Sequence, residues 1–499
     1  VNTAYDVTAV VLVVLAAVLI GAFGIRLSRT TSDFYVASRT VSPLWNASAI
    51  GGEYLSAASF LGIAGLILAY GADMLWLPVG WTGGYLVLLV LVSAPLRRSG
   101  AYTLPDFAEA RLESMAVRRL AGVLVVLIGW LYLMPQFQSA GLVLGAITGA
   151  PDWAGGLLVA AVVAVNVMSG GMRSITFVQA FQYWLKLTAL AVPLVFLLLA
   201  WRSGGAPGLS AHDTATWALP LASGKEYGLY STYSLILATF LGTMGLPHVL
   251  VRFYTNPDGR AARRTTLVVL SLLGAFYLLP AIYGALGRIY LPELRGSDMV
   301  VLTLPGRLVG GVAGDLLTSL VTAGAFAAFL STSSGLTVSV AGVIGQDILR
   351  GGVRSFRTAA MLAVTVPLVL ATSARSLPVA DVVGLAFAVA ASSFCPLLVL
   401  GIWWRRLTST GAMAGLLAGG GLACGAVLAT IVGGPYTGLA GALLAQPAAW
   451  TVPVAFAVMI VVSLLTPARI PPGVARTMVR LHTPETLDLD RGDWRPRSS

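Results

Sequence analysis

The sequence predicts an all-α polytopic membrane protein with about thirteen transmembrane helices, on the strength of three observations. Of the 499 residues, 57% are hydrophobic and only 10% charged, whereas an ordinary soluble domain is about 25% charged. Apolar runs long enough to cross a hydrocarbon core recur along nearly the whole chain. Most of these runs lack period-2 alternation, which favours helices over a β-barrel.

The runs fall at roughly 5–25, 44–70, 74–96, 119–149, 153–169, 176–201, 229–250, 266–289, 311–347, 357–374, 379–404, 410–433 and 447–467. The first carries Asp6, has no basic residues before it and has arginines after it, so it reads as a retained helix rather than a cleaved signal peptide. A net charge of +11 would suit nucleic acid, but its placement points to the bilayer. With the N-terminus outside and the C-terminus cytoplasmic, the outer segments hold only Arg202, Lys225, Arg288, Arg295, Arg307 and Arg375. Lys186 lies within a span, and all other Lys and Arg are cytoplasmic, as the positive-inside rule requires. The expected location is the plasma (inner) membrane, with no nucleic-acid partner.

Loops are short except 97–118, 202–228 and 287–310. Leu104-Pro105-Asp106-Phe107 and Glu109 predict an amphipathic turn-helix packed under the bundle, and the polar tail from 468 reads as poorly ordered. Cys395 and Cys424 fall inside spans and read as small core residues rather than a disulfide or metal framework. No GxxxxGK[ST] loop, metal-spaced Cys/His set or nucleophile triad occurs, which argues against an ATP-driven pump or a membrane hydrolase. The expectation is a protein that is not an enzyme and has no cofactor.

Two spans look broken. The second carries Gly51-Gly52-Glu53-Tyr54-Leu55-Ser56-Ala57-Ala58-Ser59 near its centre, and the seventh carries Gly242-Thr243-Met244-Gly245-Leu246-Pro247-His248. Glycine weakens a helix and proline deletes a backbone donor. Irregular backbone at membrane depth is tolerated only where it is buried in protein or lines a cavity. Paired interruptions at matching places in two halves point to an inverted-repeat transporter with its site at the midplane.

At these residues the sequence resembles the sodium/solute symporter family, in its cation/acetate and monocarboxylate permease branch, over roughly 5–467. The motifs are the run Gly51 to Gly62, Gly170-Gly171-Met172-Arg173 leading to Gln182, Pro247-His248 with Arg252-Phe253-Tyr254-Thr255, and Ala327-Ala328-Phe329-Leu330-Ser331-Thr332-Ser333-Ser334. The resemblance implies a leucine-transporter-type five-plus-five inverted repeat, with one extra helix before it and two after. That divides the chain into 1–43 (extra helix and cytoplasmic loop), 44–201 (first repeat), 202–228 (external loop), 229–404 (second repeat), 405–467 (two further helices) and 468–499 (cytoplasmic tail).

Ser331 to Ser334 form a hydroxyl cluster in an otherwise apolar helix. Such hydroxyls either bond back to carbonyls one turn earlier or supply oxygen ligands to a cation. The resemblance implies a sodium site made by the side chains of Ser331 and Thr332 with the carbonyls of Ala328, Gly52 and Leu55. Backbone freed around 52–56 makes a natural pocket for an anion. Ser56 and Ser59, one helical turn apart, are expected to meet one carboxylate, with Tyr54, Phe60, Trp76 and Met244 as walls. Gln179, Gln182 and Lys186 share one helix face, and a lysine at the midplane is costly enough to suggest a coupling or counter-charge role. Glu53, the only carboxylate deep in the second span, has three readings: it takes a proton, pairs with Lys186, or lines an ion vestibule. Sodium-rich relatives have an aspartate where Gln179 stands, and acetate permeases often have a lysine where Gln182 stands. His248 reads as a core histidine.

The expected function is inward symport of a short monocarboxylate such as acetate, propionate or pyruvate with sodium. Proton coupling through Lys186 or Glu53 is the alternative. A transporter-like sensor, from a different class, would need an output domain that is not seen after 467.

Overall fold

The computed structural model describes residues 3–25, 41–221, 226–294, 296–349, 352–373, 379–433 and 436–485, and these contain helices and no strand. Arg26, Arg29, Arg39, Lys225, Arg295, Arg350 and Arg375 of the charge argument lie outside them, as does the tail beyond 485. Helix α1 spans Thr3–Ile25. The first broken span follows as α2 (Pro43–Tyr54), a π-helical turn (Ala58–Gly62) and α3 (Ile63–Tyr70). A short turn leads into α4 (Trp76–Val87) and, past a π-bulge, α5 (Ser93–Arg98). Next come α6 (Leu104–Leu112), α7 (Met115–Thr148), α8 (Asp152–Ser203) and the short α9 (Ala211–Thr216).

The second broken span is α10 (Gly228–Gly245) with α11 (Pro247–Phe253), bent by 42°. Beyond it lie α12 (Gly259–Tyr290), α13 (Val300–Leu308), α14 (Gly311–Val343), α15 (Val353–Ser373) and α16 (Val379–Trp403). A bulged pair, α17 (Ser409–Gly415) and α18 (Gly421–Gly433), precedes α19 (Gly438–Ala445), α20 (Ala448–Leu465) and α21 (Val474–His482).

Ten of the described helices are long and apolar enough to cross a membrane, or eleven with the bent pair, so the count of thirteen is not reproduced. The difference has a physical source. At 1.5 Å per residue the continuous helix α8 would be about 78 Å long, against a hydrocarbon core of about 30 Å. Within it Gly171 adopts φ 55°, ψ −149°, a conformation that only glycine takes without strain, and the chain kinks there between the two runs read from the sequence.

Both expected breaks are present. Leu55 leaves the helical region at ψ 82° and Ser56 lies between the two helical segments. At the second break Leu246 is extended (ψ 117°), and Pro247, without an N–H, opens α11. Burial is graded from centre to rim. In the apolar windows, 94% of α16 and 72% of α14 are buried, against 28% of α1, so α14 and α16 form the middle and α1 lies at the edge.

The loop helix expected at 97–118 is α6, which starts in a capping box between Thr103 and Asp106. Arg111 on its buried face donates to the carbonyls of Gly401 (2.7 Å) and Trp404 (3.0 Å) at the end of α16. Arg118 gathers Asp106 (2.8 Å), Glu109 and Asp347 (2.7 Å), joining α6, α7 and the end of α14. The tail departs from expectation: α21 docks by burying Met478 and Leu481 while Arg476 stays outside. Its turn periodicity is amphipathic, which a composition-based reading of disorder overlooks.

Candidate functional site

The two breaks meet at the centre of the bundle, where α2, α8, α11 and α14 come together. Gly52 explains the closeness of α2 and α8: a Cβ there would stand 2.1 Å from the Gln179 carbonyl oxygen. At Gly335 of α14 a Cβ would stand 2.1 Å from the Glu53 carboxylate. Tyr54 ties one break to the other, its hydroxyl 2.7 Å from Thr243 Oγ1.

Lys186 of α8 is fully buried, and its ammonium points into the first break. It donates to the carbonyl oxygens of Gly52 and Leu55 (2.7 Å to Leu55) and to Ser331 Oγ (2.9 Å). An ammonium has three donors and no acceptor, so three acceptors satisfy it. These are three of the five oxygens expected to hold sodium. Of the other two groups, the Ala328 carbonyl accepts from Ser331 Oγ at 3.1 Å, and Thr332 Oγ1 donates to the Glu53 carbonyl at 2.6 Å. The expected oxygens are therefore assembled, but a side-chain cation from the same protein sits among them.

Of the readings open for Glu53, pairing holds, but with Arg252 rather than with Lys186. Glu53 Oε2 accepts from Arg252 Nε at 2.7 Å, with both side chains buried. Arg252 also donates to Thr176 Oγ1 (2.8 Å) and to Gln179 Oε1, and Gln179 Nε2 donates to the Ser331 carbonyl (2.7 Å). Arg252, expected among the cytoplasmic arginines, instead lies one turn into α11 and is fully buried. The signal available was charge balance: a carboxylate buried at Glu53 needs a cation, and the break at Pro247 puts Arg252 at a comparable depth. Gln182 is buried and neither its Oε1 nor its Nε2 has a partner among the described residues.

Ser56 lies at the break and Ser59 in the π turn that follows, and the two stay joined by helical backbone, the Phe60 amide donating to the Ser56 carbonyl at 2.9 Å. The Ser56 hydroxyl lies beside that of Tyr132, and the Ser59 hydroxyl is 3.0 Å from Tyr277 OH. Next to Ser56 is an aromatic box centred on Phe387 of α16, which packs against Trp81 (5.5 Å between ring centres), Tyr132 (6.0 Å) and Tyr54 (6.2 Å). Met244 is buried at the second break. Phe60 packs on Phe276 at 6.4 Å, and Trp76 is 37% exposed, so it lines no buried site. Gln136 of α7 accepts from the Ala57 amide at 3.0 Å, pinning the restart of the broken span.

The arrangement, two unwound helices around a buried cation and an aromatic box, is that of a transporter. The sodium:solute symporter family model matches residues 34–419. A monocarboxylic acid transporter of Corynebacterium glutamicum is 33% identical over 440 residues, covering 79% of this chain and 78% of that protein. An uncharacterised symporter of Bacillus subtilis is 33% identical over 416 residues, 80% of each chain. Among solved structures, a Na+-coupled sialic acid symporter in a substrate-bound outward-open state superposes with TM-score 0.72 at 14% identity, over 92% of this chain and 98% of that one. Mhp1, a nucleobase-cation-symport-1 family transporter, in a closed conformation gives 0.62 at 14% identity, over 91% and 99%. At such identities these two likenesses speak for the fold, which is the leucine-transporter type that the family resemblance implies. This multi-pass membrane protein is a solute transporter and not an enzyme, and it belongs to the sodium:solute symporter family.

Proposed function

We propose that the chain carries a short monocarboxylate such as acetate, propionate or pyruvate inward, with its N-terminus outside, and that a proton on Lys186 takes the part sodium plays elsewhere in the family. The observation that carries the coupling reading is the Lys186 ammonium on Gly52 O, Leu55 O and Ser331 Oγ. Two unit positive charges 4 Å apart repel by about 4 kcal/mol at an effective dielectric of 20. Sodium can share these oxygens only if the lysine leaves or loses its proton. Glu53, the other expected proton site, is held by Arg252. The substrate reading draws on the likeness to the C. glutamicum monocarboxylic acid transporter and on the cluster of aromatic rings beside Ser56.

The chemistry follows from the donors. Protonated Lys186 bridges the broken α2 to α14 and holds the site closed. Releasing the proton weakens the bridge and lets α2 swing away from α14, so opening follows deprotonation. One proton carried with one monocarboxylate moves no net charge, so accumulation follows the pH gradient and is indifferent to membrane potential.

The test is uptake of labelled pyruvate into proteoliposomes, chosen because neutral acetic acid crosses bilayers unaided. Uptake is expected to follow an imposed pH gradient, to persist when choline replaces sodium, and to lose its pH drive in Lys186→Met. Uptake that requires a sodium gradient and ignores pH would return the site to sodium. Wild-type protein that carries none of the three acids would remove the substrate reading.

A further inference from the structure

His248 was read from the sequence as an ordinary core histidine, but its surroundings differ from those of one. It is fully buried, and neither Nδ1 nor Nε2 has a hydrogen-bond partner among the described residues. A neutral imidazole carries one N–H donor and one acceptor nitrogen. Burying either without a partner costs about 1–3 kcal/mol, so a buried histidine with both unmet calls for an explanation.

Its position supplies one. His248 is the second residue of α11, at the second helix break, and one turn before Arg252. Its ring meets the Tyr132 ring edge-on at 5.3 Å, and Tyr132 continues to Phe387 at 6.0 Å. The Tyr132 hydroxyl lies beside the buried Oγ of Ser56. Trp81 Nε1 and Tyr85 OH, also buried and unpartnered, belong to the same ring cluster through Phe387 and Tyr54. Unmet polar atoms therefore gather around one aromatic box at the level of both breaks.

Charge accounting narrows what they meet. The nearby buried cations are already engaged, Lys186 by the first break and α14, and Arg252 by Glu53, Thr176 and Gln179. A carboxylate entering the box is therefore received by neutral donors rather than by an ion pair. We infer that His248 donates a hydrogen bond to the substrate carboxylate, opposite Ser56, and so sets affinity for short monocarboxylates. This rests on the monocarboxylate reading above and adds the residue that holds the acid.

The experiment compares His248→Phe with His248→Gln in purified full-length protein. Phenylalanine keeps an aromatic ring against Tyr132 but has no donor, while glutamine keeps a donor and an acceptor without the ring. His248→Phe is expected to raise the KM for pyruvate about ten- to a hundredfold with little change in maximal rate, as loss of a hydrogen bond to a charged group does. His248→Gln is expected to recover most of that affinity, and equilibrium binding of labelled pyruvate should move in parallel. The pH-gradient dependence should be retained in both. A wild-type KM in His248→Phe overturns the inference. So does equal impairment of both variants with a lowered melting temperature, which would make the ring purely structural. Wild-type protein that transports and binds no monocarboxylate overturns the substrate reading and this inference together, whereas wild-type uptake with a normal His248→Phe overturns the inference alone.

Discussion

Replacing Lys186 with alanine would leave Gly52 O, Leu55 O and Ser331 Oγ without their donor, grouped around a space the size of an ammonium. Hard oxygens so grouped suit a small monovalent cation, so Lys186→Ala is expected to gain a sodium-dependent rise in melting temperature that wild type lacks. Potassium serves as the control. At the neighbouring pair, Arg252→Met strands the Glu53 carboxylate in a buried site. Removing one partner of such a pair costs about 3–5 kcal/mol, so thermal unfolding should come much earlier. The double variant Arg252→Met with Glu53→Gln should recover part of the loss, because the buried charge has gone. Thr332→Ala removes the 2.6 Å bond to the Glu53 carbonyl and not a ligand of the ammonium. It should therefore disturb the pH drive less than Ser331→Ala, a difference readable in pyruvate uptake.

Among the elements, α6 shows how a local cap serves a tertiary contact. Asp106 accepts from the Thr103 (3.0 Å) and Tyr102 (3.2 Å) amides while also pairing with Arg118. Burial pushes its carboxyl up to about 6, the Arg118 guanidinium opposes that rise, and Asp347 adds to it. The folded value lies above the ordinary carboxylate range, so its contribution to stability is full at low pH and is lost as pH rises through about 6. Asp106→Asn keeps an oxygen for the cap and leaves Glu109 and Asp347 on Arg118. The fall in melting temperature of wild type between about pH 4 and pH 6 should flatten in this variant. The contact of α2 with α8 is less forgiving. Gly52→Ala puts a methyl 2.1 Å from a backbone carbonyl, which cannot rotate away. Uptake should be lost even where the protein still reaches the membrane.

At the scale of the whole molecule, the last described residues fasten one end of the bundle. Glu485 accepts from the Gly259 amide (2.8 Å) and Arg98 Nε (3.3 Å), joining the start of α12 to the end of α5. Arg480 donates to the Arg98 carbonyl (3.1 Å), Gly473 donates to Glu113 (3.0 Å), and His482 packs edge-on against Trp403 at 4.9 Å. The Glu485 side chain is 34% exposed, so this ion pair contributes little by itself. The burial of Met478 and Leu481 is the larger part. Removing the chain from Pro471 onward should therefore expose the end of α5. In a background with Cys395 and Cys424 replaced by alanine, thiol labelling of Ser99→Cys should become faster in the shortened protein. Unchanged labelling would mean that the strap does not cover this end.

The sequence by itself determined what depends on local composition. Unbroken apolar stretches place the helices in lipid, the runs Gly51 to Ser59 and Gly242 to His248 mark the two that break, and Ser331 to Ser334 put hydroxyls at the depth of those breaks. Each of these is a property of one short stretch, because hydropathy and helix breaking act within a few residues. Tertiary structure decided which distant groups share the buried space. Lys186 reaches Leu55 across 131 residues and Arg252 reaches Glu53 across 199, and nothing in the spacing of either pair along the chain announces the contact. The outcome turns on helix rotation and on contacts such as that of Gly52 with Gln179, where an ångström redirects a side chain from one partner to another. The same holds for the placing of His248 against Tyr132 and for the docking of α21. In low-dielectric surroundings a charge takes the partner that packing brings within hydrogen-bond reach, and packing is set by all the helices together.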